Sequence, residues 1–296
     1  MIELREATPA DREAILALRG RCFPDDDPEK RDPRFWEWEF RGGRMFIAED
    51  AGRAVAHLGF VAQTYVLGGE RVPSLLAVDA MTDPDYRGQR LFARVATFAR
   101  EAIAPHVAFS GAWQIRKAVA GGMRAGGWEE GGGARVLIRP FVSSFGGGGA
   151  ATTDVETMSA IAHAFLVERG RRPHGVPLRT PEWLRWRYFD NPLWRYDVTA
   201  TGDAWLVTRR TKLKGIDTLA IVDVAWRRER DASALLARAL RTAKATLAAT
   251  LVTRAHPAYW WFVRHGFLPG PHRFRFLVTH GVRAQWSLSW GDTDHL

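Results

Sequence analysis

The sequence predicts an α/β fold built twice, with a mixed sheet and flanking helices in each half. Three observations carry that prediction. Apolar runs of strand length alternate with stretches of helical period along the first 142 residues. The run "SSFGGGGAATTD", residues 143–154, punctuates the chain more sharply than any other segment and reads as a linker between domains at 1–142 and 155–296. Motifs on its two sides also answer one another in order. "PRFWEWEF" from Pro33 matches "PEWLRWRY" from Pro181, "LAVDAMT" from Leu76 matches "AIVDVAW" from Ala220, and "AGGWEEGG" from Ala125 matches "RHGFLPG" from Arg264. The offsets of 148, 144 and 139 shrink smoothly, as two copies of one fold with small deletions would give.

Taken in order, "IELREAT" alternates as a strand and meets Thr8-Pro9 with Asp11 three residues on, a helix start that should run to about Arg21. "MFIAED" and "AVAHLGFVAQTYVLGG" read as strands joined by a turn at 50–52, and "VPSLLAVDAMT" as a third strand. A helix over 91–103, a strand "VAFSG", a helix ending at Gly126-Gly127 and a strand "ARVLIRPF" complete the first half. Antiparallel strands thus come first, and a parallel pair flanked by helices follows. The tryptophans Trp36, Trp38, Trp183 and Trp186 are spaced to glue short helices to their sheets.

Composition narrows the function. The 296 residues are 46% hydrophobic and 25% charged, which excludes a disordered chain. A net charge of +9 favours an anionic ligand, whether nucleic acid, a membrane surface or a polyphosphorylated cofactor. Cys22 is the single cysteine, so no internal disulfide or cysteine-based metal cluster forms. The opening "MIELREATPADREAILALR" lacks the basic-then-apolar pattern of a secretion signal, and no stretch approaches the roughly 18 apolar residues of a membrane span. These features predict a cytoplasmic protein with no membrane partner. No His/Asp spacing compels a metal site, "GGGG" lacks the lysine and hydroxyl of a P-loop, and "GGMRAGG" lacks the acidic strand end of a dinucleotide fingerprint.

The stretch "VDAMTDPDYRGQRLF", residues 78–92, passes from a strand through an Arg-Gly turn into a helix. A turn whose N–H groups point outward ahead of a helix N-terminus makes an anion site from backbone dipoles. Glycine lets a phosphate approach and arginine neutralises it, so the stretch reads as a pyrophosphate cradle. A routine strand-to-helix connection with a solvated turn has the same local pattern.

On these residues the first half resembles the GNAT acyltransferase family. The resemblance rests on the "LREATPAD" opening, the two antiparallel strands, the strand before "PDYRGQRLF" and the helix ending in Gly-Gly-Trp. It implies acyl-CoA, with acetyl-CoA as the foremost case, as co-substrate and an amine as acceptor. It also implies a splayed pair of central parallel strands in each half. By the resemblance the backbone of Ala80, Met81 and Thr82 pairs with the pantetheine arm, and Arg87, Gly88, Gln89, Arg90, Leu91 and Phe92 hold the pyrophosphate. The family pattern is Gln/Arg-x-x-Gly-x-Gly/Ala; here Arg90 stands at the usual glycine and Phe92 at the usual small residue. Laying Asp223 on Asp79 puts Asp231 at the place of Arg87 and Ala232 at that of Gly88, so the second copy is expected to have lost the cofactor site and to shape the acceptor pocket or the structure.

The acceptor's ammonium must lose a proton and the departing thiolate must gain one. Asp79 is the first choice of base because its copy keeps Asp223, although such an aspartate equally suits a structural role; Glu37, Glu39 and His57 are further candidates, with His57 flanked by Ala56 and Leu58 as a core histidine would be. Many family members place an acidic tyrosine five residues before the last aromatic of the Gly-aromatic motif, but that count reaches Met123 and Phe262 here. Tyr86 or Ser110 is then the expected acid, unless the thiolate leaves unassisted. In the tail "WSLSWGDTDHL", Asp292 and Asp294, together with Glu37, are candidates to hold the acceptor's ammonium group, against the default of a solvated terminus.

The foremost reading is therefore a two-domain GNAT acyltransferase for a small-molecule amine, without a metal. A Fem-type aminoacyl-tRNA-dependent ligase also uses two such halves and would exploit the positive charge. The "RGQRLF" cradle and the lack of a lysine-rich helical arm argue against it, and hence against a nucleic-acid partner. A non-catalytic acyl-CoA-binding module is the third reading.

Overall fold

The computed structural model of the protein describes residues 1–24, 28–114, 117–140, 154–168, 174–279 and 281–293. The segment 143–153 of the expected linker lies outside the described residues. By its internal contacts the chain forms two units. One comprises Met1–Thr64, Arg71–Gly132 and Arg275–Arg283; the other comprises Tyr65–Glu70, Gly133–Phe274 and Ala284–Leu296.

In the first unit, strand β1 (Glu3–Glu6) leads to Thr8, whose N–H donates to Asp11 Oδ2 at 2.8 Å while the Asp11 N–H returns to the Thr8 carbonyl at 3.0 Å. This reciprocal cap closes one tight turn, from which α1 (Arg12–Cys22) continues. Helix α2 (Pro33–Glu39) starts with proline at its first position and Asp32 as its cap, and it buries Phe35, Trp36 and Trp38. Strands β2 (Arg44–Asp50) and β3 (Arg53–Leu67) meet at Ala51 and Gly52, both with positive φ, the geometry of a tight hairpin. Then come β4 (Glu70–Thr82), α3 (Leu91–Ile103), β5 (Phe109–Gln114) and α4 (Lys117–Ala125); β6 (Trp128–Pro140) begins in this unit and belongs to the second from Gly133 on. Helix α3 buries Leu91, Val95, Ala96, Ala99 and Ile103, a stripe of helical period, in a core with Phe46, Leu58, Phe60 and Trp128.

In the second unit lie α5 (Val155–His163), β7 (His174–Pro177), α6 (Pro181–Leu184), β8 (Asp197–Ala200), β9 (Ala204–Leu213), β10 (Ile216–Trp226), α7 (Glu229–Thr242), β11 (Leu247–Thr253), α8 (Tyr259–Arg264), β12 (Leu268–Thr279) and β13 (Gln285–Trp286). Both sheets are mixed. The order is β1-β2-β3-β4-β5-β12 in the first unit and β12-β6-β11-β10-β9-β8 in the second, with β12 dividing between them after residue 274. Residues 275–278 of β12 run antiparallel to 111–114 of β5, and Leu277 joins the first unit's core. The first unit is therefore completed by residues from near the end of the chain, and neither unit is a contiguous segment.

Two strands differ from the sequence expectation. β5 begins at Phe109 and runs to Gln114, beyond the expected 107–111, because its ladder with β12 extends over 111–114. β6 begins at Trp128, earlier than the expected 134, and passes through three glycines. Glycine weakens a strand on its own, but a side chain at Gly133 would lie 2.7 Å from the Phe274 carbonyl, so the close approach of the chain there requires it.

Candidate functional site

β4 and β5 pair in parallel over four residues, 74–77 with 109–112. The pairing stops at Ala77 and Ala112 while both strands run on, which opens a slot between them. Two residues past the last pair stands Asp79, a non-glycine residue at φ +51°. A left-handed residue in a strand breaks the pleat and costs roughly 1–2 kcal/mol, so neighbours must hold it. They do. The Asp79 carboxylate pairs with Arg19 of α1, and its carbonyl accepts from His57 Nδ1 of β3 at 2.9 Å.

Beyond Thr82 the chain turns at Asp83, a buried carboxylate. It accepts from Arg21 Nε at 2.7 Å, Arg53 Nη2 at 2.5 Å and the Asp85 N–H at 3.2 Å. Burial acts to raise its pKa, but these hydrogen bonds outweigh it and hold the group below the ordinary carboxylate range. The turn thus anchored carries Gly88 at φ +79° and Arg90 at φ +56°, the latter as N-cap of α3. The first N–H groups of a helix have no partner within it and face the space ahead of its N-terminus.

That space is a cavity of about 780 Å³, walled by the end of β4, the turn, the start of α3, α4, and Cys22 and Phe23 at the end of α1. Of the nine residues expected to hold the cofactor, Ala80, Met81, Thr82, Arg87, Gly88, Arg90, Leu91 and Phe92 line it; Gln89 does not, because its amide turns back to the Asp85 carbonyl at 3.3 Å. Sequence reasoning missed the far wall. The glycines of "AVAGGMRAGG" sit on α4: Gly121 borders the cavity with nothing within 4 Å of where a Cβ would lie, and a Cβ on Gly122 would meet the Phe92 ring at 2.3 Å. The bulky residue at a usually small position is thus matched by a missing side chain opposite. Cys22 is buried here, and desolvation raises its thiol pKa against the opposing pull of Arg87.

The expected catalytic and acceptor groups are placed differently. Asp79 is committed to Arg19, so its lone pairs serve a guanidinium instead of a substrate ammonium. His57 is fully buried, and burial together with the Arg19 charge lowers its pKa to about 3, so it is neutral at physiological pH. Ser110 is the second residue of β5, within the paired part of the ladder and buried, so it lies short of the opening expected of it at the strand's end. Tyr86 lines the cavity, but its hydroxyl donates to Asp50 at 2.8 Å, a bond that raises its pKa and turns the proton away from the slot. Met123, at the family's tyrosine position, is buried in the core. Glu37 lies on the exposed side of α2 and pairs with Arg12 at 2.6 Å; Glu39 is buried.

The second unit repeats the first up to one point. β10 and β11 pair in parallel over four residues, 218–221 with 247–250, then part, and Asp223 stands two residues past the last pair as Asp79 does. Here the slot is filled by the chain's own tail. Ser289 bridges Val252, the Thr253 N–H donates to the Leu288 carbonyl at 3.0 Å, and Ser289 Oγ donates to Asp223 at 3.2 Å. Arg179 clasps the assembly, with Nε on Asp223 at 2.7 Å and its terminal nitrogens on both oxygens of Asp292 at 2.7 and 2.9 Å. Asp292 is 1% exposed and both its oxygens are held, which corrects its expected role on a substrate ammonium. Asp294 lies outside the described residues. The turn after β10 carries no glycine to let a phosphate approach the backbone, and it mixes Arg227, Arg228 and Arg230 with Glu229 and Asp231. Among the described residues no group of three or more His, Cys, Asp or Glu is placed to hold a metal, and no helix is long and apolar enough to cross a membrane.

Comparison with known proteins agrees with this geometry. Residues 3–106 match the sequence model of the family described as Acetyltransferase (GNAT) domain. No curated protein matches the chain in sequence. Among solved structures the fold is similar to a GCN5-related N-acetyltransferase from Anabaena variabilis, with TM-score 0.69 and 12% identity, covering 94% of this chain and 72% of that one. It is similar to another from Kribbella flavida, with TM-score 0.67, 18% identity and coverage of 94% and 71%. It is also similar to Saccharomyces cerevisiae N-myristoyltransferase with bound myristoyl-CoA, with TM-score 0.65, 10% identity and coverage of 96% and 80%. At such identities the structural likeness speaks for the fold alone. The segment 3–106, which contains the end of β4 and the anchored Arg-Gly turn, thus matches the GNAT acetyltransferase family model and sits in a fold that GNAT structures share.

Proposed function

We propose that this chain is an acyl-CoA-dependent N-acyltransferase, with acetyl the first acyl group to test, acting on the primary amine of a small molecule. The observation that carries the reading is the parting of β4 from β5 at Ala77 and Ala112, next to a cavity of about 780 Å³ bordered by Arg87 and the start of α3. In this reading the backbone of Ala80 to Thr82 pairs with the pantetheine amides as an added strand would. The N–H groups from Gly88 to Phe92, with Arg87 and Arg90, hold the pyrophosphate. The cavity and its fit to phosphate and an extended arm favour CoA as donor.

Transfer is direct: the amine nitrogen bonds to the thioester carbonyl carbon, the C–S bond breaks, and the thiolate leaves. A thiol with a pKa of about 8.5 departs without a dedicated acid, which suits a site where Tyr86 is engaged with Asp50 and Ser110 lies within the ladder. The amine's proton passes to water, since Asp79 is tied to Arg19 and His57 is neutral and enclosed. The plugged slot of the second unit and the lack of glycine in the turn after β10 support one donor site per chain, with residues 155–296 structural or shaping the acceptor pocket. The acceptor and the acyl length follow from screening, and the cytoplasm is the expected compartment.

Calorimetric titration of acetyl-CoA, with deacylated tRNA in parallel at two salt concentrations, tests the reading. One acetyl-CoA per chain, weakened tenfold or more by Arg87→Ala through loss of a charge-assisted contact, is the expected result. An absence of CoA binding alongside salt-sensitive tRNA binding would overturn it.

A further inference from the structure

His57 is an expensive residue for the chain to keep. Its ring is fully buried, and among the described residues Nε2 has no hydrogen-bond partner. A buried polar atom without a partner is destabilising, because its desolvation is not repaid. The surroundings are also shaped to admit the ring. Phe40 packs edge-on to it at 5.8 Å, and a Cβ on Gly59 would stand 2.2 Å from the Phe40 ring and 3.1 Å from His57 Cε1. Only a glycine at 59 leaves room for both rings.

Among the described residues His57 Nδ1 lies at hydrogen-bonding distance from the Asp79 carbonyl, at 2.9 Å, while the Asp79 carboxylate stands off at 3.8 Å. A carbonyl only accepts, so Nδ1 carries the proton and Nε2 is the bare acceptor. The bond thus fixes the tautomer and one end of the strained residue, while Arg19 fixes the other through the carboxylate. Asp79 is where β4 leaves β5, so its backbone conformation sets how the rest of β4, from Ala80 to Thr82, runs along the slot.

We propose that His57 is a positioning residue, which by donating from Nδ1 to the Asp79 carbonyl holds the left-handed bulge and so sets the alignment of the bound thioester against the incoming amine. This rests on the reading of the first unit as an acyl-CoA site. The pyrophosphate turn is anchored separately through Asp83, so loss of the clamp should disturb alignment and leave affinity largely intact.

The test uses His57→Leu, His57→Asn and His57→Gln in the full chain. Asparagine can present an N–H near the place of Nδ1, and glutamine presents it near Nε2. His57→Leu and His57→Gln are expected to lower kcat about tenfold with the acetyl-CoA Kd within twofold of wild type, and His57→Asn to recover most of the loss with an unchanged pH–rate profile. Wild-type kcat in the leucine and glutamine variants, equal loss in all three, or disappearance of an acid-side limb near neutral pH, as loss of a general base would give, would overturn the clamp. A readout independent of turnover is the histidine 15N–1H spectrum of the wild-type chain, where His57 should be the Nδ1–H tautomer from pH 5 to 8. An Nε2–H tautomer would overturn the clamp even in an active enzyme, whereas the Nδ1–H tautomer in a chain that binds no acyl-CoA would uphold the clamp and overturn the donor-site reading instead.

Discussion

The ring of Phe92 occupies the place that a side chain at position 122 would need: a Cβ built on Gly122 falls 2.3 Å from Phe92 Cδ1. One turn of α3 and one turn of α4 are brought together by a large residue on one and none on the other. Gly122→Ala should therefore destabilise the protein by about 1–3 kcal/mol, as overpacking does, despite alanine's better helix propensity. Gly121 is the control, because its Cβ position is open and borders the cavity. Gly121→Leu should keep or raise the stability in urea unfolding and yet abolish acetyl-CoA binding in a titration.

Arg90 separates backbone strain from charge. It holds the left-handed cap of α3, a conformation that glycine adopts without penalty. Arg90→Gly should raise stability by about 1 kcal/mol and weaken acetyl-CoA binding severalfold through the lost cation. A rise in both stability and affinity would show that Arg90 contributes nothing to the phosphates.

His57 should make stability depend on pH below neutrality. An unfolded imidazole takes up its proton near pH 6.5, but the folded one, with its pKa lowered by burial and by Arg19, does so only near pH 3. Between these values the unfolded state binds more protons, so stability falls as pH falls. His256, buried in the second unit and lowered to about 4, acts in the same direction. Urea midpoints measured from pH 7 to 4.5 should decline in the wild type and decline less in His57→Leu. An equal slope in both would place the histidine closer to solvent than its burial implies.

Arg179 holds the tail in the second slot. Removing one partner of a buried ion pair typically costs about 3–5 kcal/mol. Asp292→Ala should therefore destabilise the chain by that order while the folded fraction still binds one acetyl-CoA with unchanged affinity. A second equivalent of acetyl-CoA in Asp292→Ala would mean that the tail alone keeps the second slot closed.

Much of this protein is decided locally. Thr8 with Asp11, Pro33 after Asp32, the Asp50–Gly52 turn and the helical stripe from Leu91 to Ile103 are interactions within a few residues, so their pattern is legible along the chain. The spacing of the repeated motifs places Asp79 and Asp223 correctly, because each follows a four-residue parallel pairing by two positions. The turn that "RGQRLF" makes ahead of a helix is equally legible, since a glycine with positive φ and a helix start are local features.

Tertiary structure alone decided what those groups are free to do. Asp79 and Asp292 look like available carboxylates in the sequence, and each is instead held by an arginine, Arg19 from 60 residues and Arg179 from 113 residues away. Nothing in the local pattern encodes such a partner, because an ion pair depends on distance in space and on the exclusion of water. The same holds for the strand that 275–278 contributes to the first sheet and for the tail that fills the second slot. A strand's pattern says which face it buries, but its neighbour is chosen by the register and shape of the assembled sheet.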